Sequence, residues 1–138
     1  MQAQTQIPEE VIERLRVKSR ETRIAVVGAS NNPEKYGNII VKNLHGKGYT
    51  VLPIHPQERE VAGLPAYPTV NDAPGPIHVV DFVTPPKVSH AVLAGLDPTK
   101  VSTVWFQDGS WDDDLIAEAQ RRFRHVIHRA CIMMVTNY

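Results

Sequence analysis

The sequence predicts a three-layer α/β fold: a five-stranded parallel sheet with helices on both faces. Strand-like and helix-like segments alternate almost from end to end, which is how a parallel sheet is assembled from βαβ units. Several strand-like runs, such as "IAVVG" at 24–28 and "VSTVWF" at 101–106, are apolar on both faces. A strand covered by helices above and below reads that way. The helix-like runs carry only one apolar stripe. Together these features predict a Rossmann-like arrangement in the strand order 3-2-1-4-5, with right-handed crossovers.

The elements follow in order. Residues 8–20 predict an amphipathic helix packed on the domain. Pro8 suits its first turn, Glu9 and Glu10 suit the positive end of its dipole, and Val11, Ile12 and Leu15 share a face. Arg14, Arg16, Lys18 and Arg20 are read as its solvated side. The first strand is 24–28, and a helix over 35–47 carries Tyr36, Ile39, Ile40 and Leu44 at helical spacing. "TVLPIHP" (50–56) is the second strand and "IHVVDFV" (77–83) the third. A helix over 87–96 and the fourth strand, 101–106, come next. "WDDDLIAEAQRRF" (111–123) has acids in its first turn and Arg121 and Arg122 in its last, matching the dipole. "HVIHRACIMMV" (125–135) is read as the fifth strand. Residues 57–76, dense in Pro and Gly, predict a loop with room for a short strand and a helical turn.

Length and charge narrow the functional classes. A chain of 138 residues predicts one domain, 1–138. Formal net charge is zero, with 15 basic and 15 acidic residues, so nothing favours nucleic acid or an anionic membrane. No apolar run is long enough to span a bilayer. The first 20 residues lack the apolar core of a signal peptide, and Cys131 is the single cysteine. The expectation is a cytoplasmic protein, monomeric or a small homo-oligomer.

In an open parallel sheet, ligands bind beyond the carboxyl ends of the strands. The first such loop, "GASNNPEKYGN" (28–38), opens a helix, so its backbone N–H groups and the helix dipole favour an anion. Gly28 gives the turn, Gly37 permits close approach to the helix, and Ser30, Asn31 and Asn32 offer polar side chains. Two features argue against NAD. The compact G-x-G-x-x-G is missing, and no acid stands at the end of the second strand to hold ribose hydroxyls. That strand ends Ile54-His55-Pro56. His55, Arg59 and Lys87 would suit a phosphorylated ribose instead.

The stretches "IAVVGASNNPEKYGN", "VLPIHPQEREVAGLPAYPTVNDAP", "VVDFVTPPKV", "VWFQDGS" and "CIMMV" resemble the small single-domain CoA-binding proteins, from about Glu21 onward. Those are similar in turn to the CoA-binding N-terminal domain of the succinyl-CoA synthetase alpha subunit. The resemblance implies a CoA or acyl-CoA ligand with its pyrophosphate over the first loop. Gly28, Ala29, Ser30, Asn31 and Asn32 match the family's G-A-S-x-x-P loop, and Lys35, Tyr36 and Gly37 lie where it enters the helix. Pro53 and Pro56 frame a P-V-N-P-like segment in which His55 replaces Asn. Thr84, Pro85, Lys87 and Val88 occupy a segment where relatives often carry Arg-Arg before the Pro. Gln107 and Gly109 match V-W-x-Q-x-G, and Arg129-Ala130-Cys131 replaces Asp-Arg-Cys. The implied 3′-phosphate on CoA agrees with the missing acid after the second strand.

No catalytic constellation is expected. The synthetase works through a phosphohistidine in a second domain, which these residues do not include. No His/Cys spacing suggests zinc. His125 and His128 are read as structural, Asp112, Asp113 and Asp114 as a helix start, and Trp105 and Phe106 as core. Cys131 is read as a core thiol, the alternative being a place near the pantetheine end of CoA. Tyr36 is the better aromatic to pack on a ligand. A non-catalytic CoA-binding module is therefore expected. The alternatives are a small CoA- or nucleotide-dependent enzyme of acyl transfer or redox type, or an NAD(P)-binding protein.

Overall fold

The computed structural model describes residues 7–137; the outermost ends of the expected 1–138 unit lie outside that range. Helix α1 (Glu9–Arg16) leads to β1 (Arg23–Val27), α2 (Tyr36–Gly46) and β2 (Thr50–Ile54). A hairpin of β3 (Glu60–Val61) and β4 (Leu64–Pro65) and a helical turn at Val70–Asp72 fill the Pro/Gly-rich segment. Then come β5 (Ile77–Phe82), α3 (Pro86–Gly95), β6 (Val101–Phe106), α4 (Asp113–Arg122), β7 (His125–His128) and α5 (Ile132–Val135).

The main sheet is parallel and five-stranded, in the order β2-β1-β5-β6-β7. Counting only its own strands, that is 2-1-3-4-5, not the expected 3-2-1-4-5. The third strand pairs with the free side of β1, so β2 is an edge. Pro53 gives the physical reason. Its carbonyl accepts from the Tyr67 N–H at 3.0 Å on the outer side of β2, so the N–H it lacks would have pointed outward as well. An interior β2 would lose a ladder bond there, whereas an edge strand loses none.

The alternation of side chains across the pleat builds two cores. On one face Ala25, Val27, Val80, Phe82, Val104 and Phe106 pack under α3 and α4. On the other, Ile24, Val26, Val79, Trp105 and Ile127 pack under α1, α2 and α5. Trp105 and Phe106 are wholly buried on opposite faces, as expected of core residues. Val11 and Leu15 seat α1 on the second core. That helix ends at Arg16, four residues short of the expectation; the Thr22 hydroxyl donates to the freed Val17 carbonyl at 2.7 Å. Asp112 caps α4, accepting from the Leu115 N–H at 2.8 Å, which is the helix-start role expected of that acidic run.

The fifth strand is shorter than expected. It stops at His128, Arg129 turns the chain at a φ of 62°, and Ile132–Val135 forms α5 instead of continuing the strand. Ile132 must cover Trp105 and Ile127 on the α2 face, and a turn of helix brings it back over them where an extended strand would run past.

Gly37 is where α2 meets β1. A Cβ there would sit 2.0 Å from the Gly28 carbonyl oxygen, whereas one on Gly46 would meet nothing within 4 Å. Gly37→Ala is therefore expected to cost more than about 2 kcal/mol, through a backbone overlap that no rotamer relieves. Gly46→Ala should be neutral or gain up to about 1 kcal/mol. Urea unfolding of both variants checks the contrast.

Two partly buried histidines set the acid side of the stability profile. The His78 ring, on β5, accepts from the Arg23 N–H at 3.0 Å. Burial first, then Arg14 and Arg23, hold it below the usual histidine range. Burial and Arg129 do the same to His128. Unfolded histidine takes up its proton near pH 6.5. Below that pH these two sites hold more protons in the unfolded chain than in the folded one, so their contribution to stability falls as pH drops through the window. The urea midpoint of the parent relative to that of His78→Gln should decline from pH 7 to pH 5.5.

Candidate functional site

The loops after β1, β2, β5, β6 and β7 all open on the carboxyl edge of the sheet. The strand order turns back between β1 and β5, where a ligand crevice forms in open α/β sheets. Gly28 sits there at a φ of 96°. A Cβ on it would lie 2.9 Å from a methyl of Val83 and 3.0 Å from one of Thr84. The loops after β1 and β5 thus touch, and Gly28 serves both the turn and the contact.

The side chains of the first loop mostly hold the loop itself. The Ser30 hydroxyl oxygen accepts from the Asn32 N–H at 3.0 Å, and the Asn32 carboxamide oxygen accepts from the Glu34 N–H at 3.0 Å. Asn31 reaches sideways to the β3–β4 hairpin. Its amide donates to the Glu60 carbonyl at 2.8 Å and its oxygen accepts from the Ala62 N–H at 3.0 Å. Buried Asn38, in the first turn of α2, donates to the Ser30 carbonyl at 2.9 Å. Of the polar side chains expected to face a ligand, Asn31 is thus committed to the hairpin, while the Ser30 hydroxyl keeps its hydrogen and the Asn32 amide its N–H donors. Ala29 is buried, and Lys35 is exposed at the N-cap of α2. That helix has no side-chain cap and no acid in its first turn, so its positive end is uncompensated.

Beyond β2, the His55 Nδ1 accepts from the N–H groups of Gln57 and Glu58 at 3.0 and 2.9 Å. His55 holds the bend as an Asn would, with Nδ1 unprotonated and Nε2–H left over as a donor. Pro56 and Arg59 are exposed in the same bend. Lys87 is not brought to them. It starts α3 after β5, two strand spacings from β2, about 10 Å across the sheet. Thr84 and Ser89 pair through their hydroxyls at 2.8 Å, and the Ser89 hydroxyl also reaches the Thr84 carbonyl at 3.2 Å, so the Thr84 hydroxyl has a partner within its own loop and helix. Pro85 caps α3, which like α2 has no acid in its first turn, and Val88 is 43% exposed there.

The loops after β6 and β7 meet over α2. Buried Gln107 accepts from the Ile132 N–H at 3.1 Å, and Gly109 shapes the turn at a φ of 88°. The Tyr36 hydroxyl lies 3.0 Å from the Cys131 sulfur. Cys131 is half-buried rather than a core thiol, and lines a pocket of about 190 Å³ with Tyr36, Gln107, Asp108 and Ala130. Burial pushes its thiol up. The Tyr36 hydroxyl, the N–H groups of Met134 and Met133, and Gln107 outweigh that and leave it below the ordinary cysteine range. Burial and the neighbouring Cys131 push the Tyr36 hydroxyl well above its ordinary range. Beneath them Asp81, wholly buried in β5, has no hydrogen-bond partner on either carboxyl oxygen among the described residues. Burial, then Cys131, drives its carboxyl well above the usual range. A larger cavity of about 590 Å³ lies at the opposite, amino edge of the sheet, lined by Glu10, Glu13 and Glu21 together with Arg14, His78 and His125.

A sequence model of the CoA binding domain matches residues 22–137. The chain belongs to this family. Among relatives of this CoA binding domain, the uncharacterized protein YneT of Bacillus subtilis is 27% identical over 116 residues, 84% of this chain and 86% of that protein. The alpha subunit of acetate–CoA ligase [ADP-forming] II of Pyrococcus furiosus is 43% identical over 65 residues, 46% of this chain but only 14% of the subunit. A hypothetical protein from Pyrococcus horikoshii OT3 superposes with a TM-score of 0.82 at 30% identity, covering 97% of this chain and 96% of that one.

Asp81 and Asn38 were missed in the sequence. A carboxylate inside the apolar run "VVDFV" was the available signal for the first. Nothing local marked Asn38, because its bond to Ser30 depends on where α2 begins. Asn38→Ala should lower stability by about 1–3 kcal/mol by leaving the Ser30 carbonyl unpaired. Backbone amides of 30–34 should then exchange hydrogen faster than in the parent, while those of β5 and β6 stay protected.

Proposed function

We propose that this domain is a non-catalytic module that binds CoA or acyl-CoA, with residues 1–138 acting as one unit in the cytoplasm. The observation that carries the reading is the uncapped, acid-free start of α2, set behind Gly28 at the point where the strand order turns back. A pyrophosphate there would be held by backbone N–H groups, the dipole of α2 and the Ser30 hydroxyl. Family membership and the CoA named in the ligase relatives favour CoA over other pyrophosphates. His55 and Arg59, on the β2 side, suit the 3′-phosphate. Lys87, across β1, suits the pyrophosphate instead. Tyr36 and Val88 offer exposed apolar surface beside the crevice.

Calorimetry with CoA, dephospho-CoA and NAD tests this reading. CoA should bind at least tenfold more tightly than dephospho-CoA, a gap of about 1.4 kcal/mol or more, and more tightly than NAD. Ser30→Ala should weaken CoA by about 1–3 kcal/mol. Equal affinity for dephospho-CoA would remove the role of His55 and Arg59, and equal affinity for NAD would remove the choice of ligand. Gly28→Val is a poor probe, since its φ and the Val83 contact make any side chain destabilising.

A further inference from the structure

We propose that Cys131 forms a mixed disulfide with the thiol end of CoA, by exchange with a CoA disulfide; this rests on the CoA reading above. Three features place the thiol there. The first is reach. The Cys131 sulfur lies 3.0 Å from the hydroxyl of Tyr36, the first residue of α2, so it stands one tyrosine side chain from the helix start that would hold the pyrophosphate. The arm of CoA between pyrophosphate and sulfur matches about four residues of extended chain in bond count, so it can extend to roughly 14 Å and covers that distance with slack. A CoA anchored over the β1 loop and laid along the carboxyl edge would thus bring its sulfur to the pocket of Tyr36, Gln107, Asp108, Ala130 and Cys131.

The second is the setting of the sulfur. It faces the Tyr36 hydroxyl at 3.0 Å, Gln107 and the N–H groups that open α5. These donors favour the thiolate, the form that attacks a disulfide. The third is Asp81, which does not belong to a cysteine that merely fills space. A wholly buried carboxyl with both oxygens unpartnered is costly in a closed core. It lies on the sheet face beneath this pocket, close enough for its charge to interact with both Cys131 and Tyr36. Burial favours its neutral form, which adds no negative charge against a thiolate.

The step balances without any outside oxidant. The Cys131 thiol gives its proton to solvent and its sulfur attacks one sulfur of the CoA disulfide. The new sulfur–sulfur bond forms as the old one breaks, and the displaced CoA leaves as a thiolate that takes a proton from solvent. Tyr36 acts as a positioning residue through its bond to the sulfur. The ionisable groups around that sulfur are Tyr36, Asp81, Lys47 and Asp108.

The test is intact-mass spectrometry of the full chain incubated with CoA disulfide or, at equal concentration, glutathione disulfide. A single CoA adduct is expected, reversed by dithiothreitol, absent in Cys131→Ser, and formed at least tenfold faster than the glutathione adduct. In Tyr36→Phe the pH at which the rate reaches half its plateau should move upward. Calorimetry of the parent protein with CoA, in a phosphine reductant, is run alongside. CoA binding without an adduct, or with glutathione reacting as fast, overturns the exchange and leaves the CoA reading standing. No CoA binding overturns both.

Discussion

The carbonyl oxygen of Gly28 is the point on which the carboxyl edge of the sheet is built. It ends β1, and α2 is seated directly against it, with no space for a side chain on Gly37. Once that contact fixes where α2 starts, Asn38 falls beside the Ser30 carbonyl, and Tyr36 falls within reach of the loop after β7. The first loop then has little freedom left. Its side chains bond to its own backbone or to the hairpin, and its shape is set before any ligand arrives. Preorganisation of this kind reduces the ordering entropy charged to binding.

Much of the fold was legible because a buried parallel sheet leaves strong marks: runs apolar on both faces, separated by one-sided helices. The strand order was not legible from that pattern, since right-handed crossovers allow more than one order. The clue to the order is local: Pro53 in the middle of the second strand belongs at an edge. The closing segment misled for a related reason. "CIMMV" is apolar in either conformation, and only the need to cover Trp105 and Ile127 selects a helix.

The candidate site was legible in outline and less so in role. The loops at strand ends were identifiable from the alternation alone, and Gly28 and Gly37 from their chemistry. The roles of Asn31 and Thr84 depended on partners 29 and 5 residues away, Glu60 and Ser89, which no spacing rule links to a phosphate loop. Asp81 was written openly in an apolar strand but carried no motif. A buried ionisable group is informative through its environment, and that environment exists only after β5, β6 and α5 are assembled.

Helix α2 touches the closing segment of the chain near both of its ends. At its start Tyr36 meets Cys131; just past its end the Lys47 ammonium donates to the Met133 carbonyl at 2.8 Å and to the Thr136 hydroxyl at 2.9 Å. Eleven residues of helix make a rod roughly 16 Å long. A rod pinned at two points to one short segment cannot tilt without carrying that segment along. In mechanical terms α2 and α5 move as one body, so a load applied at α5 would be felt at the mouth of the first loop.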